Sequence, residues 1–347
     1  MTKISKELIE WAIHKIETEY SEDVSLLIGH SHWNIEPDGN EVAFNFFIPA
    51  TKAGYKLAQT FIIEGIGYDL FPMSWERVEG LASINESLTT CLADGVILYA
   101  KSDGDRERFI QLQNKLKENL ADPSFTYKKG LEKINTAMEL YKTMLFENSL
   151  GSGRKASGFI ADYLSQAVAT VNGVYFKRGP ENQISHLAEM DQVPENFTTL
   201  YESLIAAKSL ETIKTLCYQM IETTRAFFEA KMPEKKQSPQ VYNYEDLACW
   251  YEEGVYTFRR IYYYAEQKDV FNAFAWGYHF QREFDAIEEE FGLEPMDLMG
   301  VFDPENLDAY AARAKAIDAS IRGEIEKRGV TLREYDSLDA FLAAQRS

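Results

Sequence analysis

Residues 29–48, GHSHWNIEPDGNEVAFNFFI, gather side chains that could do chemistry between two apolar runs. Gly29-His30-Ser31 closes the first run, Pro37-Asp38-Gly39 marks a turn, and Glu41 and Asn45 stand at the head of the second. Polar loops held by a rigid sheet are where binding and catalytic groups concentrate. His30 and His32, two residues apart, share a face if the first strand continues, which is a spacing open to metal ligation. With no evident third ligand, surface or hydrogen-bonded histidines are the stronger reading. Asn45, between Phe44 and Phe46, is either a site residue on a cavity face or a core amide satisfied by backbone. Asp38 and Glu41 also fit ordinary loop solvation.

A second concentration is WYEEGVYTFRRIYYY at 250–264. Glu252 and Glu253 stand four and three residues before Tyr256 and precede Arg259 and Arg260, so they belong to one helix surface. Surface charge pairs over a tyrosine core are the plainer reading, and TVNGVYF, with Asn172 beside Tyr175 and Phe176, repeats the theme. Other chemistries leave no trace: there is no GxxxxGK[ST], no GxGxxG after a strand, no GxSxG and no HExxH. Cys91, Cys217 and Cys249 are far apart without CxxC spacing and read as thiols in a reducing, cytoplasmic setting.

Composition bounds the partners. The formal charge is −19, from 36 Lys and Arg against 55 Asp and Glu, which repels a phosphate backbone and disfavours nucleic acid. A local basic pocket for a nucleotide or a small-molecule acceptor is still compatible with that balance, as is a homo-oligomer. No run reaches the roughly 18 apolar residues that a membrane-spanning helix needs, and the N-terminus has no apolar signal-like core. With 45% hydrophobic and 13% aromatic residues, the 347-residue chain can bury more than one core.

The elements that must position these residues follow from periodicity. Residues 4–20 repeat apolar side chains at helical spacing, VSLLIG and EVAFNFFIP read as strands, and ATKAGYKLAQTFII is helix-like or mixed. GIGYDLFPM and VILYAKS are strands around the helical SWERVEGLASINESLTTCLADG, and RERFIQLQNKLKENL is a helix. Beyond about residue 122 every long segment has apolar residues three and four apart, as packed antiparallel helices do. Gly151-Ser152-Gly153 and Lys177-Arg178-Gly179-Pro180 read as turns and MPEKKQSPQ at 232–240 as a linker. The expectation is an α+β chain: a mixed-sheet domain at 1–122, a helical bundle at 123–232 and a second helical subdomain at 241–347.

This order of elements, with Gly29-His30-Ser31, Pro37-Asp38-Gly39 and Asp69 in Gly67-Tyr68-Asp69-Leu70, resembles the polymerase-β-like nucleotidyltransferase superfamily, nearest the aminoglycoside nucleotidyltransferase type. That family carries Gly-Ser after the first strand, an Asp-x-Asp pair on the next and a third Asp on a neighbour, together holding two divalent ions. Here the serine is displaced by one, and the Asp pair is replaced by Glu41 and Ala43, or by Asn45 and Phe47, according to register. The resemblance implies that Gly29, His30, Ser31, Asp38 and Asn45 bind the nucleotide, that Asp69 and Glu41 hold Mg²⁺, and that Glu252 or Glu253 serves as base for the acceptor hydroxyl. Asp69 is equally a strand-end carboxylate with hydrogen-bonding duties. The implied activity is transfer of a nucleotidyl group from a nucleoside triphosphate to a small hydroxylated acceptor; the alternative is an inactive nucleotide-binding or protein-interaction protein on the same fold.

Overall fold

The computed structural model describes residues 3–30, 43–177, 183–232 and 242–346, with side chains from residue 6 and, in the second segment, from residue 46. The chain divides into two compact units, Met1–Glu234 and Lys235–Ser347.

The first unit opens with helix α1 (Lys3–Glu19) and a five-stranded mixed sheet in the order β3-β4-β2-β1-β5. Its strands are β1 (Val24–His30), β2 (Ala43–Pro49), β3 (Gln59–Ile63), β4 (Ile66–Pro72) and β5 (Val96–Ala100). β2 and β4 run parallel, and the other neighbours are antiparallel. Both faces are covered, which explains why β1 is apolar without alternation. Leu26, Ile28, Phe46 and Ile48 face one core with Val78 and Leu81 of α2 (Trp75–Ala82) and Phe109 and Leu116 of α4 (Asp103–Ala121). Val24, Leu27, Phe47 and Leu70 face another with Ala12 and Ile16 of α1. Between α2 and α4 lies the short α3 (Thr89–Ala93).

The rest of this unit is helical: α5 (Pro123–Met144), α6 (Leu150–Val171), α7 (Gln183–Ala188), α8 (Phe197–Ala206) and α9 (Leu210–Glu229). Asp122 caps α5 through the backbone N–H groups of Ser124 and Phe125, with Pro123 in the first turn where its missing N–H costs nothing. α5 and α6 pack around Ile134, Ala137, Ile160, Leu164 and Val168. α9 comes close to α5 at Gly130, where a Cβ would lie 2.5 Å from the Phe228 ring.

The second unit holds α10 (Tyr244–Glu266), α11 (Val270–Phe291), α12 (Asp308–Lys327) and α13 (Leu338–Ala344). Its core is aromatic: Phe258 lies 4.7 Å from Phe280, which lies 4.6 Å from Phe284. Asp318 accepts hydrogen bonds from the hydroxyls of Tyr251 and Tyr262, both at 2.7 Å. No helix among the described residues is long and apolar enough to cross a membrane.

Two local expectations need correction. ATKAGYKLAQTFII is a short 3-10 turn followed by β3, because Thr60, Phe61 and Ile62 pair with β4 across the tight Glu64-Gly65 turn, whose residues both take positive φ. Gly151-Ser152-Gly153 is no turn but the first turn of α6, where Ser149 accepts from the Ser152 N–H and starts the helix.

Candidate functional site

Of the residues around the opening loop, Gly29 and His30 end β1. Asn45 sits in β2, its side chain outside the described residues, and Ser31, Asp38 and Glu41 lie outside them altogether. Gly29 pairs with Phe44 on one side and Val96 on the other. His30 is 2% exposed and turned inward, its Nε2 2.9 Å from Thr90 Oγ1 on α3. Thr90 in turn is 3.0 Å from Asp94 Oδ2, which also accepts from the Tyr175 hydroxyl at 2.9 Å.

Asp69 is exposed on the β3–β4 hairpin and accepts from Thr60 Oγ1 at 3.0 Å. β2 and β4 pair at Phe46 and Phe71, so that register extended back by two residues sets Asp69 in line with Phe44 and, beyond it, Gly29. Two strand spacings, about 10 Å, then separate Asp69 from Gly29. A divalent ion needs several oxygen donors around one point. Among the described residues no group of three His, Cys, Asp or Glu side chains could hold a metal ion, and Glu41, paired with Asp69 in the expected Mg²⁺ site, lies outside them.

Glu252 and Glu253 belong to the second unit. Glu252 accepts from the Arg333 backbone N–H at 2.6 Å and from its Nε at 2.7 Å, and this contact holds its carboxyl below the usual range. A carboxylate so engaged is a weak base. Glu253 is exposed, on the wall of a cleft between α10 and α11.

A closely built polar site lies in the helical part of the first unit. A partly open cavity of about 140 Å³ is lined by α5, α6, the end of α4, the start of α7, the 174–176 segment and the residues leading into α3. α6 presents Asp162, Gln166 and Thr170 to it at spacings of four, a polar stripe beside the apolar stripe of Ala161, Leu164 and Val168. From α5, Lys133 reaches in and donates to Gln166 Oε1 at 3.3 Å, its only hydrogen bond among the described residues. Burial pushes the Lys133 ammonium below its ordinary pKa, and the charge of Asp162 opposes this in part.

Asp162 is fixed by two amides: Gln183 Nε2 donates to one oxygen, and Gln166 Nε2 donates to the other at 2.7 Å. Gln183 is 3% exposed, and its own oxygen accepts from the Tyr201 hydroxyl at 3.2 Å. Burial, with the Asp162 charge behind it, raises the Tyr201 pKa and keeps the phenol protonated as a donor. Ile84, Leu88, Leu120 and Phe176 supply apolar wall, and Tyr175 joins the cavity to the Asp94–Thr90–His30 chain. A carboxylate offers about four lone-pair positions, so Asp162 keeps acceptor capacity for a ligand, and Lys133 keeps two donors.

The sequence carries a signal for this site: the Asp162-Gln166-Thr170 spacing on α6 and a lone Lys133 beside Ile134 on α5. Tyr175 and Phe176 stood out in the sequence only as core aromatics. The partner that completes the site, Gln183, begins α7, and no helical period links it to α6.

No family model and no curated protein matches the chain. A nucleotidyltransferase-like protein from Exiguobacterium sibiricum 255-15 is similar in structure, with a TM-score of 0.38 and 15% identity, over 64% of this chain and 75% of that one. A superposition that loose carries no argument about fold or chemistry.

Proposed function

We propose that this chain is a small-molecule-binding protein whose ligand is a compact zwitterion of amino-acid size, held between Lys133 and Asp162. The observation that carries the reading is the pair of opposite charges in one cavity of about 140 Å³. An engineered cavity of about 150 Å³ accommodates benzene, so the ligand is of that order and far from a nucleoside triphosphate, for which sites of about 300–1,000 Å³ are usual. A purely anionic guest would meet Asp162, and a purely cationic one would meet Lys133. A guest with both charges pairs its carboxylate with Lys133 and its ammonium with Asp162, while Gln166 bridges the two receptors and Gln183 fixes Asp162.

Nucleotidyl transfer through Asp69 and Glu41, with Mg²⁺ and a triphosphate, is the competing reading, and it draws on Asp69 lying mid-strand in β4, level with Gly29 across β2. A thermal-shift screen of the full chain against the common amino acids, and against the four nucleoside triphosphates with and without Mg²⁺, separates the two. Saturation at about 100 times the Kd stabilises a protein by about 2.7 kcal/mol, which such a screen detects. The expected result is stabilisation by one amino acid or a small group of them, lost in Lys133→Met. Stabilisation by a triphosphate only with Mg²⁺, lost in Asp69→Ala, would replace this reading with the transferase.

A further inference from the structure

The second unit carries a different cleft, of about 610 Å³, formed wholly by α10 and α11. Its floor is opened by Gly254, where a Cβ would come within 3.3 Å of the Phe280 ring. Trp250 and Trp276 stand on its two walls, one from each helix, and Glu253 and Glu283 are exposed carboxylates on the lining. Trp250 is held by stacking on Phe280, with ring centroids 5.7 Å apart and 16° between planes, and its indole N–H points to Glu283 Oε2 at 3.5 Å. The cleft therefore offers indole surface and negative charge together, and no lysine or arginine lines it.

The protein already uses one of these rings to hold a cation. The Arg260 guanidinium lies 4.1 Å from the centroid of Trp276 and 4.4 Å from that of Tyr256. An indole attracts cations electrostatically at either face, and the attraction grows where water is displaced. Arg260 is not part of the cleft lining, whereas Trp276 is, so indole surface beyond the Arg260 contact remains for a guest.

We infer that this cleft binds a small organic cation of the quaternary or tertiary ammonium class, packed between Trp250 and Trp276 with Glu253 and Glu283 balancing its charge. The cleft lies within the usual range for small-molecule sites, about 300–1,000 Å³. A quaternary ammonium suits it better than a primary amine, because it gives up little hydration and makes apolar contact with both indoles.

The test uses the full chain and two probes of nearly the same shape, choline and its uncharged carbon analogue 3,3-dimethylbutan-1-ol, each titrated while tryptophan fluorescence is followed. The proposal expects choline to bind at least about tenfold tighter than the alcohol, and the Glu253→Gln/Glu283→Gln variant to lose most of that difference. Both glutamates are exposed, so the double variant keeps the fold, which circular dichroism verifies. A third variant, Trp276→Leu, should weaken choline binding by a similar factor. Equal binding of the two probes, choline binding unchanged in both variants, or no binding of choline would each overturn the inference.

Discussion

Replacing Asp162 by alanine removes the acceptor for two amide donors at once, those of Gln166 and Gln183. A hydrogen bond to a charged group contributes about 1.5–3 kcal/mol, and leaving its partner unpaired in a buried place costs a similar amount. Asp162 is half-buried, so the lower end applies to each bond, and Asp162→Ala should destabilise the first unit by about 3 kcal/mol. Asp162→Asn is more informative. The new amide has one acceptor oxygen for two donors, and neither glutamine can turn round without loss, because Gln166 Oε1 serves Lys133 and Gln183 Oε1 serves Tyr201. One bond is lost and one kept, giving about 1.5 kcal/mol. Adding Gln183→Glu lets the new amide donate to a carboxylate while that carboxylate still accepts from Tyr201, so the double variant should return to within about 0.5 kcal/mol of the parent. Urea unfolding followed by circular dichroism measures all three. Equal losses for Ala and Asn, or no recovery in the double variant, would refute the assigned network.

Three further outcomes follow from Lys133, Gly130 and Glu252. Because folding lowers the Lys133 pKa, the unfolded chain holds more protons between the folded and the ordinary lysine value, so stability should rise with pH across that alkaline window; Lys133→Met should flatten the rise and be about 1 kcal/mol more stable at pH 7, measured by urea titration against pH. Gly130→Val should cost about 2 kcal/mol or more in the same assay, since the added atoms meet the ring of Phe228, itself 1% exposed. The Arg333 contact lowers the Glu252 pKa, so its contribution is present above the ordinary carboxylate range and lost as pH falls through the folded value; hydrogen-exchange protection factors of residues 331–346, corrected for the intrinsic rate at each pH, should fall on acidification, and Glu252→Gln should show low protection already at neutral pH.

Much of the fold was legible because burial imposes period. α1, β1, β2, β4 and β5 follow from apolar spacing, and the helical character beyond residue 122 from repeats of three and four. β3 was misread because Ala53–Leu57 begins its segment with a helical turn, while the strand's pairing is fixed by the Glu64-Gly65 turn rather than by its own pattern. Gly151 and Gly153 looked like punctuation, but the Ser149 cap starts α6 there and packing calls for Gly153, where a Cβ would lie 2.3 Å from Leu210 Cδ1.

The candidate site was less legible than the fold. Sequence reasoning went to the strands, where Gly29 and His30 end β1 and Asp69 sits in the middle of β4, yet His30 contacts Thr90 and Asp69 accepts from Thr60. The Lys133–Asp162 cavity draws on α5, α6 and α7, whose side-chain meeting depends on packing angles that no local pattern encodes. Its clearest sequence trace is the polar stripe 162, 166 and 170, which resembles a solvated face until Gln183 and Lys133 are seen to close over it.

The most direct test is calorimetric titration of the full chain with the amino acid that stabilises it most, repeated on Lys133→Met. One bound ligand per chain, with affinity reduced at least about tenfold in the variant, is the predicted result. Binding unchanged by Lys133→Met, or saturation by a nucleoside triphosphate that requires Mg²⁺ and Asp69, would contradict it.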